Sequence, residues 1–445
     1  MIVDSSFPSG IEQARGTMPP FVASARADGI LCAMTNEASG LTEFAADVVD
    51  RFALTPAELL HAAIARRVFR RVGVAATPAR LIHDRAARSA YAVTRRVVLD
   101  GAGAMAKALR TTGGDEVRPL SRSRGGRYAL AAVNAVAGDS LVKRNNDLAI
   151  RMSVRDGGTD VACTRDGLAQ AFPRATSTLA VFLHGLAETE EWWFFRPVTG
   201  GRVRSFGSRL QEDAGFTPVY IRYNTGLHVS DNGAHLATLL ESLIHSWPVR
   251  VQRLILIGHS MGGLVIRSAS HASTLAGHRW PAVAIHVVTL GTPHHGAPLA
   301  KAAHAAAWAF RAVPETEPIA YLLDSRSAGI RDLRLGALHE DDWRDEQPGS
   351  FDDRRRDIPL LPHCKYTFIT ATVTSNPSHP VGFALGDLLV RTESASGRSR
   401  KRIVPVPAGS VRNVGGLSHF DLLDHPVVYE VLHAAITERS TSRET

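Results

Sequence analysis

Five runs in the later part of the chain are dominated by apolar and β-branched residues over strand length. They are "TLAVFLHG" (178–185), "TPVYIRYN" (217–224), "RLILIGHS" (253–260), "AIHVVTLG" (284–291) and "KYTFITATVT" (365–374), with helical segments between them. A strand apolar on both sides needs cover on both sides, so these runs predict a mostly parallel sheet between helix layers, an α/β fold. Upstream, "LAIRMSVRDGGTDV" (148–161) reads as a strand entering a Gly-Gly turn, the start of an opening hairpin. The third run ends unusually: Gly258, Ser260, Gly262 and Gly263 crowd four small residues into six positions. Glycine weakens regular structure by about 0.5–1 kcal/mol, so its density there answers a need other than packing.

The regions around this core differ in texture. Residues 1–45, with "PSG", "TMPP" and "NEASG", read as a loosely ordered tail. Residues 46–145 read as a helical subdomain. Within it, Thr55, Pro56 and Glu58 suggest an N-cap, a first-turn proline and a capping box. Leu60, Ile64 and Val68 then form one apolar stripe beside Arg66, Arg67, Arg70 and Arg71. Thr77-Pro78 repeats the same start. Residues 146–440 form the α/β domain, interrupted at 297–361 by an alanine-rich helix and a charged stretch that together read as a helical lid.

Several function classes fall away on composition. The first residues, "MIVDSSFPSGIEQARG", lack a basic segment followed by an apolar one, so no secretory leader is expected. No stretch reaches the roughly 18 apolar residues of a membrane span. Cys32, Cys163 and Cys364 are few, odd in number and far apart, which argues against a disulfide framework and for a reducing, cytoplasmic setting. The net charge of +8 reads first as solvated arginine-rich helix faces, and second as peripheral attraction to an anionic membrane. No aromatic-interleaved basic stretch is present, so no nucleic-acid partner is expected.

A strand, then Gly-x-Ser-x-Gly, then a helix has the form of a nucleophile elbow, with Ser260 as the nucleophile and Gly258 and Gly262 supplying clearance. The following helix points its positive end at the serine. A serine hydroxyl needs a base, and in this arrangement acid and base follow in the order Asp/Glu, then His. His419 in "VGGLSHFDLLDHP" sits on a loop after the strand-like "SVRNV"; His425, just before Pro426, is its rival. Asp387 in "FALGDLLVRTESASG" follows the penultimate strand and is the expected acid. Asp421 and Asp424 lie too close to His419, and Asp324 and Asp332 belong to the lid. The oxyanion donors are expected to be the backbone N–H groups of Met261 and of Leu186, after His184-Gly185. His184 reads as a loop brace. "EEWW" (190–193) suits either the acyl entrance or a packed aromatic cluster. His259, His294 and His295 show no carboxylate at metal-ligand spacing, so neither a metal nor a cofactor is expected.

Together "HGLAETEEWW", "IGHSMGGLV", "TLGTPHHGAPLAK", "SAGIRDLRLGALHEDDW", "GDLLVRTESASG" and "GLSHFDLLDHP" resemble bacterial esterase/lipase-type α/β-hydrolases. The branch is the one related to GPI inositol-deacylases and lecithin–cholesterol acyltransferase-like lipases. The resemblance spans about Leu148 to His433. It implies an α/β-hydrolase fold and a Ser-Asp-His hydrolase of carboxylic esters, often of lipids, and it supports Ser260, Asp387 and His419 as the triad. Acyl transfer by the same residues, or a silent lipid- or partner-binding module on the same fold, are the competing readings.

Overall fold

The Thr55-Pro56 pair does not start a helix. In the computed structural model, α1 (Glu37–Val49) passes through a π-helical turn at Asp50–Leu54 directly into α2 (Thr55–Val72). The expected capping box is therefore absent, because the preceding turn already supplies helical partners. Thr55 and Glu58 turn instead to Arg95 of α3 (Thr77–Thr111), whose guanidinium also takes Asp50 at 2.6 Å. The structure describes residues 37–73, 76–111, 120–194, 204–311, 316–344 and 352–438. The expected tail thus ends earlier than residue 45, at the start of α1, and its first 36 residues lie outside the described set. The stripe of Leu60, Ile64 and Val68 is not a sealed face, since each is 43–53% exposed. Helix α4 (Arg124–Lys143), capped by Ser123, is stitched to the following chain by Asn134, which bonds Leu148 O and Ile150 N–H. All described residues fall in one compact unit, so no break in packing occurs at residue 146.

The Gly-Gly turn joins β1 (Ser153–Asp156) to β2 (Thr159–Val161) as an antiparallel hairpin, with positive φ at both Gly157 and Gly158. After α5 (Arg165–Ala171) come β3 (Thr178–Leu183), α6 (Phe206–Ala214), β4 (Thr217–Arg222), α7 (Val229–Ser246), β5 (Arg253–His259), α8 (Met261–Ala276) and β6 (Ala284–Leu290). The lid region follows with α9 (Pro298–Arg311), α10 (Glu317–Asp324) and α11 (Ala328–Asp332); its residues 312–315 and 345–351 are outside the described set. Then come β7 (Lys365–Thr372), α12 (Pro380–Leu385), α13 (Thr392–Ala395), β8 (Val411–Gly415) and α14 (Pro426–Thr437).

The sheet runs β2-β1-β4-β3-β5-β6-β7-β8, parallel from β4 onward, with β1 antiparallel to β4. Strand β3 explains the layers. Leu179, Val181 and Leu183 point into one core shared with α7 and α8, while Ala180 and Phe182 point into another shared with α6 and α14. Burial on both faces is what these apolar runs require. The lid is tied to the start of α7 by buried Asp332 of α11, which accepts Val229 N–H at 2.7 Å and faces His228 Nδ1 at 3.0 Å. Cys163 and Cys364 are free thiols, and Cys32 is outside the described residues. Among the described residues no helix is long and apolar enough to cross a membrane.

Candidate active site

The turn between β5 and α8 holds Ser260 at φ +52°, ψ −121°, a backbone conformation costly for a residue with a side chain. The surroundings enforce it: Ser260 N–H donates to Leu290 O at 2.8 Å, and Thr292 Oγ1 donates to Ser260 O at 2.9 Å. A Cβ on Gly258 would lie 2.6 Å from Gly263 N, and one on Gly262 would lie 2.7 Å from the carbonyls of Leu183 and His184. Strand and helix approach this closely only because both positions lack a side chain.

Asp387 lies just beyond α12, in the chain that follows β7. Its carboxylate is buried and fully engaged: Oδ1 accepts the N–H groups of Leu389 and Val390, and Oδ2 faces His419 Nδ1 at 2.7 Å. His419 N–H also donates to Asp387 O at 3.0 Å, so backbone and side chain both bind the two loops. With a carboxylate opposite Nδ1, the neutral ring carries its proton there and leaves Nε2 free to act as a base. Ser260 and His419 line one cavity of about 350 Å³ with Leu186, Pro293, Leu299, Ile330, Leu389 and Phe420.

The expected second donor, Leu186 N–H, lies in the loop after β3. Gly185 N–H is taken by Glu188 at 2.6 Å and Ala187 N–H by Thr225 at 3.3 Å, while no described residue accepts Leu186 N–H. Met261 N–H, first in α8, is among the helix-terminal amides without an intrahelical acceptor. His184 is a brace, stacked on Tyr223 and bonded to Gly185 O; burial holds its ring below the usual histidine range. His425 caps α14 by accepting Val427 N–H, Asp421 binds Ser418, and Asp324 pairs with Arg311. His294 stacks on Phe368, and His295 bonds Gly397 O. Of "EEWW", Trp193 is packed against Phe182 and Phe206, and Glu190 is buried between Arg155 and Arg222, so this segment forms a packed cluster. Trp192 abuts Phe420 at 5.3 Å, which brings the cluster's edge near the cavity.

An eight-stranded sheet of this order, with a strained serine between strand and helix, is the α/β-hydrolase fold. Residues 205–314 match the family described as the PGAP1-like alpha/beta domain. Among solved structures the chain is similar to Bacillus licheniformis lipase BlEst2. With its propeptide form the identity is 21%, covering 61% of this chain and 53% of that one at a TM-score of 0.41. With its mature form the identity is 21%, covering 57% and 90% at 0.39. The chain thus spans about half the length of the propeptide form. EstA from Clostridium botulinum is similar at 13% identity, over 59% of this chain and 86% of that one, at 0.34. No curated protein matches the chain.

One pair went unread in the sequence. Buried Glu188 faces His259 Nδ1 at 3.0 Å, and His259 Nε2 faces the carbonyl oxygen of His419 at 3.1 Å. Both partners of the ring are acceptors, so the ring carries both protons and is an imidazolium. Burial alone would depress its pKa, but Glu188 outweighs burial and the net direction is upward. Burial would likewise raise Glu188, but the His259 charge and bond outweigh it and hold the carboxyl low. The pair ties the loop after β3 to the elbow and to the loop of His419. A glutamate three residues beyond His184-Gly185 was the available signal.

The pair fixes a pH window. A raised His259 contributes stability that is complete below its ordinary value of 6.5 and lost as pH rises through the higher folded value. A lowered Glu188 contributes stability that is complete above its ordinary value of 4.5 and lost as pH falls through the lower one. Glu188→Gln is therefore expected to cost about 3 kcal/mol between those ordinary values, and progressively less as pH rises further. Denaturant unfolding of both forms, inside the window and well above it, measures the difference; a pH-independent difference would refute the ion pair.

Proposed function

We propose that this chain is a serine hydrolase of carboxylic esters with lipid-like acyl groups, working through an acyl-enzyme. Ser260 Oγ attacks the ester carbonyl as His419 Nε2 takes its proton, and Asp387 stabilises the resulting imidazolium without itself being protonated. The amides of Leu186 and Met261 hold the oxyanion, each such donor being worth about 2.7–4 kcal/mol. His419 then returns the proton to the leaving alcohol and activates the water that releases the acid.

The observation that carries this reading is the shared apolar cavity. It joins a serine in a strained turn to an imidazole already oriented by a buried carboxylate, and its walls suit an acyl chain. The test is twofold. A fluorophosphonate probe is expected to label Ser260 in folded protein. Turnover of p-nitrophenyl esters is expected to rise about fourfold in kcat/KM per added methylene until the cavity is filled, from about 0.8 kcal/mol per buried CH₂. Absence of labelling would favour the silent binding module.

A further inference from the structure

A second cavity of about 450 Å³ lies under the lid helices, and its charge is lopsided. Lys143, Arg311, Arg326, Arg331, Arg334 and Arg355 line it. Three carboxylates do so too, but each already has partners. Asp324 pairs with Arg311, Asp332 accepts from Val229 and faces His228, and Asp342 accepts the N–H groups of Leu338 and His339. Arg355 is held by Asp353 at 2.7 Å. This leaves Lys143 with no carboxylate within 4.0 Å among the described residues, Arg331 with Asp139 only at 4.0 Å, and Arg326 with an already occupied Asp324 at 3.9 Å.

Arg326 decides what the cavity means. It forms part of the wall here and also part of the wall of the Ser260 cavity. Its guanidinium is tethered on one side, Nη1 donating to Ala300 O at 3.4 Å and Nε to Leu323 O, which holds it at the junction and leaves Nη2 toward the open space. Burial lowers its pKa, Asp324 opposes that, and the positive charges of Arg331 and Arg334 add to the lowering. Crowded guanidinium groups beside an open space gain most from an oxyanion that presents several acceptors at once. Phosphate fits the planar fork of arginine bidentately.

We propose that this arginine-lined cavity is a binding site for a phosphate group, adjoining the acyl cavity through Arg326. The inference rests on the ester-hydrolase reading where the phosphate belongs to the substrate, as the head group of the ester cleaved at Ser260. The same chemistry also admits free phosphate as an effector.

The experiment has two arms, both on the full chain. In the first, kcat/KM is compared for 1-decanoyl-glycerol 3-phosphate and 1-decanoyl-glycerol. A preference of about tenfold or more for the phosphate ester is expected, from two charge-assisted bonds, with the ratio falling toward one in Arg326→Gln and in the double variant Lys143→Gln/Arg331→Gln. In the second, inorganic phosphate is titrated against the thermal midpoint of each form. A raised midpoint in the wild type, lost in the double variant, together with the substrate preference identifies a head-group site. A raised midpoint with no preference identifies a free-phosphate site. Absence of both the preference and the raised midpoint overturns the proposal. If neither ester is hydrolysed, the hydrolase reading fails instead, and the midpoint alone still decides whether phosphate binds.

Discussion

Ser260→Ala is expected to lower kcat on the order of 10⁶-fold for a short p-nitrophenyl ester, because it removes the atom on which the two-step path depends. The fold should survive. The contacts that hold the turn, Ser260 N–H to Leu290 O and Thr292 Oγ1 to Ser260 O, are backbone contacts on the serine side, and alanine keeps both. Alanine also fits the space, since it keeps the Cβ that serine already places there and removes only the hydroxyl. The strain at φ +52° is carried equally by serine and alanine, so the thermal midpoint should barely move. The measurement pairs steady-state kinetics with thermal unfolding. Turnover within about tenfold of wild type would place the reactive group elsewhere, since losing a nucleophile cannot cost so little.

The legible parts of this chain were those governed by local rules. Continuous Val/Ile/Leu runs marked β3 to β7, and Gly157-Gly158 marked a two-residue hairpin whose positive φ angles glycine accepts without cost. The elbow was legible because tight approach demands small residues at fixed offsets, and Asp387 and His419, named from chain order and loop context, meet at 2.7 Å. What stayed hidden depends on contacts between distant segments. Thr55, Pro56 and Glu58 carry a sound N-terminal signature, yet Arg95, 40 positions from Thr55, draws the side chains of Thr55 and Glu58 into another use. The Glu188–His259 pair spans 71 positions, and no local period connects them. The cationic residues under the lid are spread from α4 to the segment before β7; as sequence they are an ordinary basic scatter, and only folding gathers them around one space.

Asp387→Asn separates charge from shape at the same site. Oδ1 of the carboxylate is fixed by two donors, Leu389 N–H at 3.1 Å and Val390 N–H at 2.8 Å. The replacement amide must present its oxygen to them, because its NH₂ would meet two donors head-on. That orientation turns the NH₂ toward His419 Nδ1, which now has to accept. The imidazole proton moves to Nε2, and the nitrogen facing the serine side loses its capacity as a base. Nothing needs to shift in the backbone, since His419 N–H still reaches the carbonyl oxygen of residue 387 at 3.0 Å. The expected loss in kcat is about 10⁴-fold with stability little changed, the signature of a wrong tautomer in an intact site. Nitrogen NMR of the ring should find the proton on Nε2 in the variant and on Nδ1 in the parent. A variant within about tenfold of wild type, or one with the proton still on Nδ1, would mean that the buried carboxylate does not govern the base.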